Sequence, residues 1–182
     1  MRKIALVLTL ILTACTAPKP DGTGVEVEPK LSKAERAAVA TAKKSGALVL
    51  VDKSDRRLTL YQGGKVVMTI DAIRFGDAPI GHKRQEGDER TPEGLYTINA
   101  RNPQSAYHLS LRIDYPNERD IARAAKAGVA PGGDIFIHGQ PNGYAGPPLT
   151  HDWTDGCIAV SNVEIAKLWD LVPDGTPIYI RR

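Results

Sequence analysis

Cysteine is nearly absent from this chain: 182 residues carry only Cys15 and Cys157. Two cysteines make no disulfide framework, so the fold has to rest on a packed core. Long apolar runs are missing too. The stretch Ile4–Leu12 covers nine residues, well short of the roughly 20 that cross a bilayer as a helix. An excess of one charge is also lacking. The net charge is +3, and setting aside Arg2 and Lys3 leaves 22 basic residues against 21 acidic, about +1. That balance excludes the concentrated basic surface on which nucleic-acid binding depends. The four histidines, His82, His108, His138 and His151, are scattered, without the three or four converging ligands of a metal site. No internal repeat and no low-complexity segment interrupts the pattern. A hydrophobic share of 42% with 25% charged residues describes a soluble globular chain.

The N-terminus has the layout of an export signal. Arg2-Lys3 is a positive start, Ile4–Leu12 an apolar centre, and small residues follow. Leu12-Thr13-Ala14-Cys15 resembles a lipobox, which implies removal of residues 1–14 and lipidation of Cys15. Residues 15–30 hold Pro18, Pro20, Gly22, Gly24 and Pro29 and read as a tether from anchor to domain. The expected location is therefore a membrane surface reached by export. In a Gram-negative cell, Thr16 after the lipidated cysteine implies the outer membrane, with the domain facing the periplasm. A lipidated Cys15 leaves Cys157 unpaired in an oxidising compartment, which points to chemistry at that thiol.

Residues 31–46 are expected to form an N-terminal helix, with Ser32 and Glu35 as a capping box and Gly46 as the stop. Residues 47–182 then form the main domain, and their period becomes that of strands. Runs at Ala47–Val51, Leu58–Tyr61, Val66–Ile70, Gly94–Ala100, His108–Ile113, Asp134–His138, Cys157–Val160 and Pro177–Ile180 are separated by glycine- and proline-rich loops. Gln62-Gly63-Gly64-Lys65 is a hairpin turn. A second capping box, Ser161 with Glu164, opens a helix whose Ile165, Leu168, Trp169 and Val172 keep helical spacing. The expected class is mainly β, largely antiparallel, with a few helices.

The segment from Gly132 to Asn162 concentrates the chemistry. Ile135-Phe136-Ile137 is a short strand that delivers His138 to an edge, where Gly139 turns the chain. Thr154-Asp155-Gly156-Cys157 opens a second apolar strand, and neighbouring strand ends would bring imidazole and thiol together. A free thiol with a pKa of about 8.5 is mostly protonated at neutral pH. A nearby imidazole can take that proton and later return it to a leaving amine. Gly156 leaves room for a substrate carbonyl, and backbone N–H groups at Gly156 and Cys157 are candidate oxyanion donors.

These residues resemble the L,D-transpeptidase (YkuD-type) catalytic domain. His138-Gly139, a 14-residue gap and Thr154-Asp155-Gly156-Cys157-Ile158 follow its signature. Gly87-Asp88 with Thr91-Pro92-Glu93-Gly94-Leu95-Tyr96 and Asp174-Gly175-Thr176-Pro177-Ile178 follow its flanking motifs. The resemblance implies that family's β-fold, no cofactor, and a two-step acyl transfer. In it Cys157 attacks the bond after the third residue of a peptidoglycan tetrapeptide stem and expels D-alanine. An amine, from another stem, a D-amino acid or an envelope protein, then resolves the thioester. His138 is implied as base, the Gly139 carbonyl as the group that orients it, and Gly156, Asp155 and Thr154 as oxyanion and loop support. Arg101, Lys83, His108 and His151 are the candidates for substrate contact. Asp155 and Ala159 depart from the family, which usually carries His and often Arg there. That departure leaves a hydrolase, with water as acceptor, as one alternative; a non-catalytic wall-binding lipoprotein that keeps the fold is another.

Overall fold

In the computed structural model, residues 33–182 are described, apart from the side chains of Ala34, Glu35 and Ser45. The export signal, Cys15, the tether and the Ser32–Glu35 capping box lie outside the described residues. No described helix is long and apolar enough to cross a membrane.

Helix α1 (Lys33–Ser45) packs on β1 (Ala47–Asp52), β2 (Arg57–Gln62) and β8 (Thr176–Arg181). Strand β1 sits between β2 and β8, which is why its apolar run barely alternates: Leu48, Val49 and Val51 are all fully buried. Strand β3 (Lys65–Asp71) follows through Gly63 and Gly64, whose φ values of 54° and 82° suit a two-residue hairpin. The remaining strands are β4 (Gly94–Asn102), β5 (Ser110–Ile113), β6 (Phe136–His138) and β7 (Ile158–Ala159). They complete one eight-stranded sheet in the order β3-β2-β1-β8-β4-β5-β6-β7. Its pairs are antiparallel except β1–β8 and β6–β7.

The core runs through Val49, Val51, Leu58, Leu60 and Ile178 at one end to Ile113, Ile135, Ile137 and Ile158 at the other. Helix α3 (Asn162–Leu171) covers the latter end with Ile165 and Leu168, each fully buried. Each such side chain contributes about 1.5–3 kcal/mol by leaving water. The Ser161–Glu164 capping box is present, with Ser161 N–H donating to Glu164 Oε2 at 2.8 Å.

Three strands are shorter at the site than the sequence suggests. His108 and Asp134 adopt φ values of 65° and 55°, which no ladder accommodates, so β5 starts at Ser110 and β6 at Phe136. Strand β7 keeps only two residues, leaving Cys157 on the turn before it. Helix α2 (Glu118–Ala127) is additional to the expected elements. Asn117 caps it with bonds from the Arg119 and Asp120 N–H groups, and Gly128 ends it at φ 70°.

Candidate active site

The parallel β6–β7 pair sets the geometry. Ile137 lies beside Ile158 and His138 beside Ala159. His138 and Ala159 pair across the two strands and share one face, and Cys157 lies two residues before Ala159 on the turn that enters β7. His138 and Cys157 both line one cleft of about 590 Å³, a size common for small-molecule sites.

The imidazole is held in one tautomer. His138 Nδ1 lies 2.8 Å from the Gly139 carbonyl oxygen, which can only accept, so Nδ1 carries the hydrogen and Nε2 keeps a lone pair. Burial lowers the His138 pKa below the usual imidazole range, against the smaller raising effect of the Gly139 carbonyl. The ring is therefore neutral and basic at Nε2 near pH 7. A Cβ on Gly139 would lie 2.5 Å from Asn162 Oδ1 and 3.1 Å from His108 Cβ and Ile165 Cγ2, so a side chain there would displace Asn162. That same oxygen accepts the Gln140 N–H at 2.8 Å.

Cys157 is a free thiol. Its S–H donates to the Asp134 carbonyl at 3.4 Å. Burial pushes the thiol pKa up to about 11, and the charges of Asp155 and Asp134 push the same way; the Phe136 backbone and Lys83 act against them. At rest the site thus holds a neutral thiol and a neutral imidazole. The turn that presents Cys157 is rigidly tied. Thr154 Oγ1 donates to the Cys157 carbonyl at 2.9 Å and accepts the Gly156 N–H at 3.2 Å. Thr91 Oγ1 donates to the Gly156 carbonyl at 2.9 Å. Gly156 has φ 119°, and a Cβ there would lie 2.6 Å from the Arg90 carbonyl oxygen, so no side chain fits. Because Thr154 occupies the Gly156 N–H, that group is not the free oxyanion donor expected from the sequence.

The other expected residues separate. Asp155 and Lys83 line the cleft. Lys83 is buried, its ammonium donating to Asp88 at 2.9 Å and to the Gln85 carbonyl at 3.2 Å. Arg101 is not among the lining residues. Its guanidinium reaches the Trp169 and Val172 carbonyls and Asp174 at the end of α3, so it caps a helix instead of facing substrate. His108 and His151 are exposed and stand outside the lining as well. Asp88 holds its turn, accepting the N–H groups of Arg84, Gln85 and Arg90. No group of three or more His, Cys, Asp or Glu able to hold a metal is found among the described residues.

Sequence reasoning missed Tyr107 and Trp153. The Tyr107 ring lies 4.5 Å from His138 at 33°, and Trp153 meets the same imidazole edge-on at 5.3 Å. Trp153 is fixed by its neighbour Asp152, which takes both Arg56 nitrogens at 2.6 and 2.7 Å and the Phe75 N–H at 3.0 Å. A tryptophan four residues before Cys157, in a chain with only two, was the available signal. Glu86 and Asp134, also unanticipated, add two carboxylates to the lining.

A family model described as the L,D-transpeptidase catalytic domain (YkuD) matches residues 46–180. YafK from Escherichia coli (strain K12), provisionally named an L,D-transpeptidase, is 26% identical over 178 residues, covering 94% of this chain and 64% of YafK. The helical cell shape determining protein Pgp2 from Campylobacter jejuni superimposes with a TM-score of 0.60 at 32% identity, covering 74% of this chain and 46% of Pgp2. An L,D-transpeptidase from Xylanimonas cellulosilytica shares the fold at a TM-score of 0.52 and 20% identity, over 75% of this chain and 61% of that one. The chain spans under two thirds of YafK and about half of Pgp2.

Proposed function

The chain belongs to the L,D-transpeptidase catalytic domain family, and from that premise we propose that it is a cysteine acyltransferase acting on peptidoglycan tetrapeptide stems. The observation that carries this reading is the commitment of His138 Nδ1 to the Gly139 carbonyl, which leaves Nε2 as a base in the cleft that also holds Cys157.

Because thiol and imidazole are both neutral at rest, proton transfer accompanies attack. The Cys157 proton leaves the Asp134 carbonyl for His138 Nε2 as Sγ bonds to the carbonyl carbon after the third stem residue. The C–N bond then breaks, and Nε2 returns the proton to the departing D-alanine amine. An acceptor amine next gives a proton to Nε2, attacks the thioester and regenerates the thiol. With the Gly156 N–H taken, the oxyanion role falls to the Cys157 N–H, a contribution of roughly 3–4 kcal/mol for one well-placed donor. Tyr107 and Trp153 wall in the imidazole. Lys83 has used two of its three N–H groups, and the third is left for a carboxylate of the stem.

Glu86, Asp134 and Asp155 around the thiol attract ammonium groups, which favours an amine acceptor over water. The Leu12–Cys15 motif adds a lipid anchor at Cys15 and an exported location facing the wall. Product analysis of the purified domain with a disaccharide-tetrapeptide, with and without an added amine, tests the reading. Transfer product that depends on the amine, lost in Cys157→Ala, is expected. Tripeptide alone, at a rate indifferent to amine, would make the protein a hydrolase. Activity that persists in Cys157→Ala would refute the nucleophile.

A further inference from the structure

A second cavity of about 280 Å³ lies beside β7 and shares no lining residue with the cleft of the thiol. Its walls include Ile73, Arg74, Gln140, Leu149, Val160 and Glu164. Arg74 reaches it because residue 74 bridges Ala159, exchanging both backbone bonds at 2.9 Å. His138, Ala159 and Arg74 therefore stand in one row across three neighbouring segments. The backbone of Arg74 is two strand spacings from that of His138, roughly 10 Å.

Apart from Arg74, the charged and amide side chains of this cavity are engaged within the protein. Gln140 donates to the Val160 carbonyl and accepts the Leu149 N–H. Glu164 accepts the Ser161 N–H, and Asp71 is paired with Arg57 at 2.6 Å. Asp152, whose carboxyl is lowered in part by the Arg74 charge, gives both oxygens to Arg56. The Arg74 side chain has no hydrogen bond or ion pair to a described residue, and its Nε is buried without a partner. A buried donor left without an acceptor is costly, and a guanidinium fork is satisfied best by a planar two-oxygen group.

We propose that this cavity is a second binding site, distinct from the cleft of Cys157, that takes a carboxylate on Arg74. The carboxylate pairs with the two Nη groups of Arg74, while Ile73, Leu149 and Val160 take up the apolar atoms beside it. Glu164 and Asp71 oppose an anion, but Asp71 is neutralised by Arg57 and Glu164 sits at the positive end of α3. Within the acyltransferase reading, the carboxylate belongs either to the end of a stem peptide or to a free amino acid. The cavity itself stands whether or not that reading holds.

The test uses Cys157→Ala protein, so that binding is read without turnover. Three probes are titrated by NMR on the 15N signals of arginine side chains: tetrapeptide, tetrapeptide with its terminal carboxylate amidated, and free D-alanine. The expected result is a saturable shift of one Nε signal, identified as Arg74 by its absence in Arg74→Gln, together with at least tenfold weaker binding in that variant. A shift with tetrapeptide, lost on amidation, assigns the site to a stem terminus; a shift with D-alanine assigns it to a free amino acid. An Arg74 signal that none of the three probes moves overturns the proposal. Absence of acyl transfer by the unaltered chain, with the Arg74 shift intact in Cys157→Ala, would instead refute only the acyltransferase reading.

Discussion

Cys157 and His138 are tuned in opposite directions, the thiol up to about 11 and the imidazole down, both chiefly by burial. The resting pair therefore differs from a preformed thiolate–imidazolium pair, and the rate of iodoacetamide alkylation shows which is present. Alkylation of the free protein should be slow at pH 7 and rise with a midpoint near the thiol pKa of about 11. A midpoint below about 8 would mean that the ion pair is already formed. Asp155→Asn removes a charge that raises the thiol, so its midpoint should fall. The neighbouring glycine is equally constrained. Gly139→Ala forces a Cβ to within 2.5 Å of Asn162 Oδ1, which displaces the carbonyl that orients His138. Its expected signature is a fall in kcat of at least tenfold in a protein that still folds, seen by near-UV circular dichroism. Unchanged kcat would detach Gly139 from the orientation of the base.

Among the elements, α2 and α3 show where sequence reasoning reached and where it stopped. The Ser161–Glu164 box announced α3 because those letters have one common reading. The equivalent Asn117–Asp120 box of α2 uses asparagine and aspartate, which also belong to turns, and the alanines behind it make a weak apolar face. Strand interiors were legible from β-branched runs, whereas the ends of β5, β6 and β7 were not, since φ at His108 and Asp134 is set by tertiary contacts. The thiol and imidazole could be read from the signature, but Tyr107 could not, because its stacking on His138 arises across 31 positions of chain. Arg101 misled for the converse reason: position in the chain placed it near the substrate side, and its bonds to the Trp169 and Val172 carbonyls place it at the end of α3. Arg101→Ala should therefore lower stability by about 1–2 kcal/mol in urea unfolding and leave kcat/KM unchanged. A drop in kcat/KM with stability intact would return Arg101 to the substrate.

For the whole molecule, acid stability follows from its buried carboxylates. Burial alone would raise Asp120 and Asp152, but hydrogen bonds from His82, Tyr96 and the Asn117 backbone to the first, and from Arg56 and the Phe75 backbone to the second, hold both below the usual range. Groups with a lowered folded pKa stabilise the fold above the unfolded value of about 4 and lose that contribution as pH falls through their folded pKa. Thermal denaturation should thus show a Tm independent of these groups near pH 6 and falling steeply below pH 4. Asp152→Asn should flatten part of that fall, and an identical acid profile would remove Asp152 from the account. The same Asp152 links stability to the site, since it anchors the turn carrying Trp153 and Thr154 through Phe75.

If Cys157 is the nucleophile, it carries an acyl group taken from a stem peptide, and intact-protein mass spectrometry detects that group. The domain is mixed with a disaccharide-tetrapeptide, alongside Cys157→Ala and His138→Ala, and quenched in acid. The expected result is an adduct with the mass of the tripeptide-bearing fragment on the unaltered chain, none on Cys157→Ala, and slower formation on His138→Ala. No adduct and no product with any of several stem peptides would contradict it, and would leave a fold that holds the wall without cutting it.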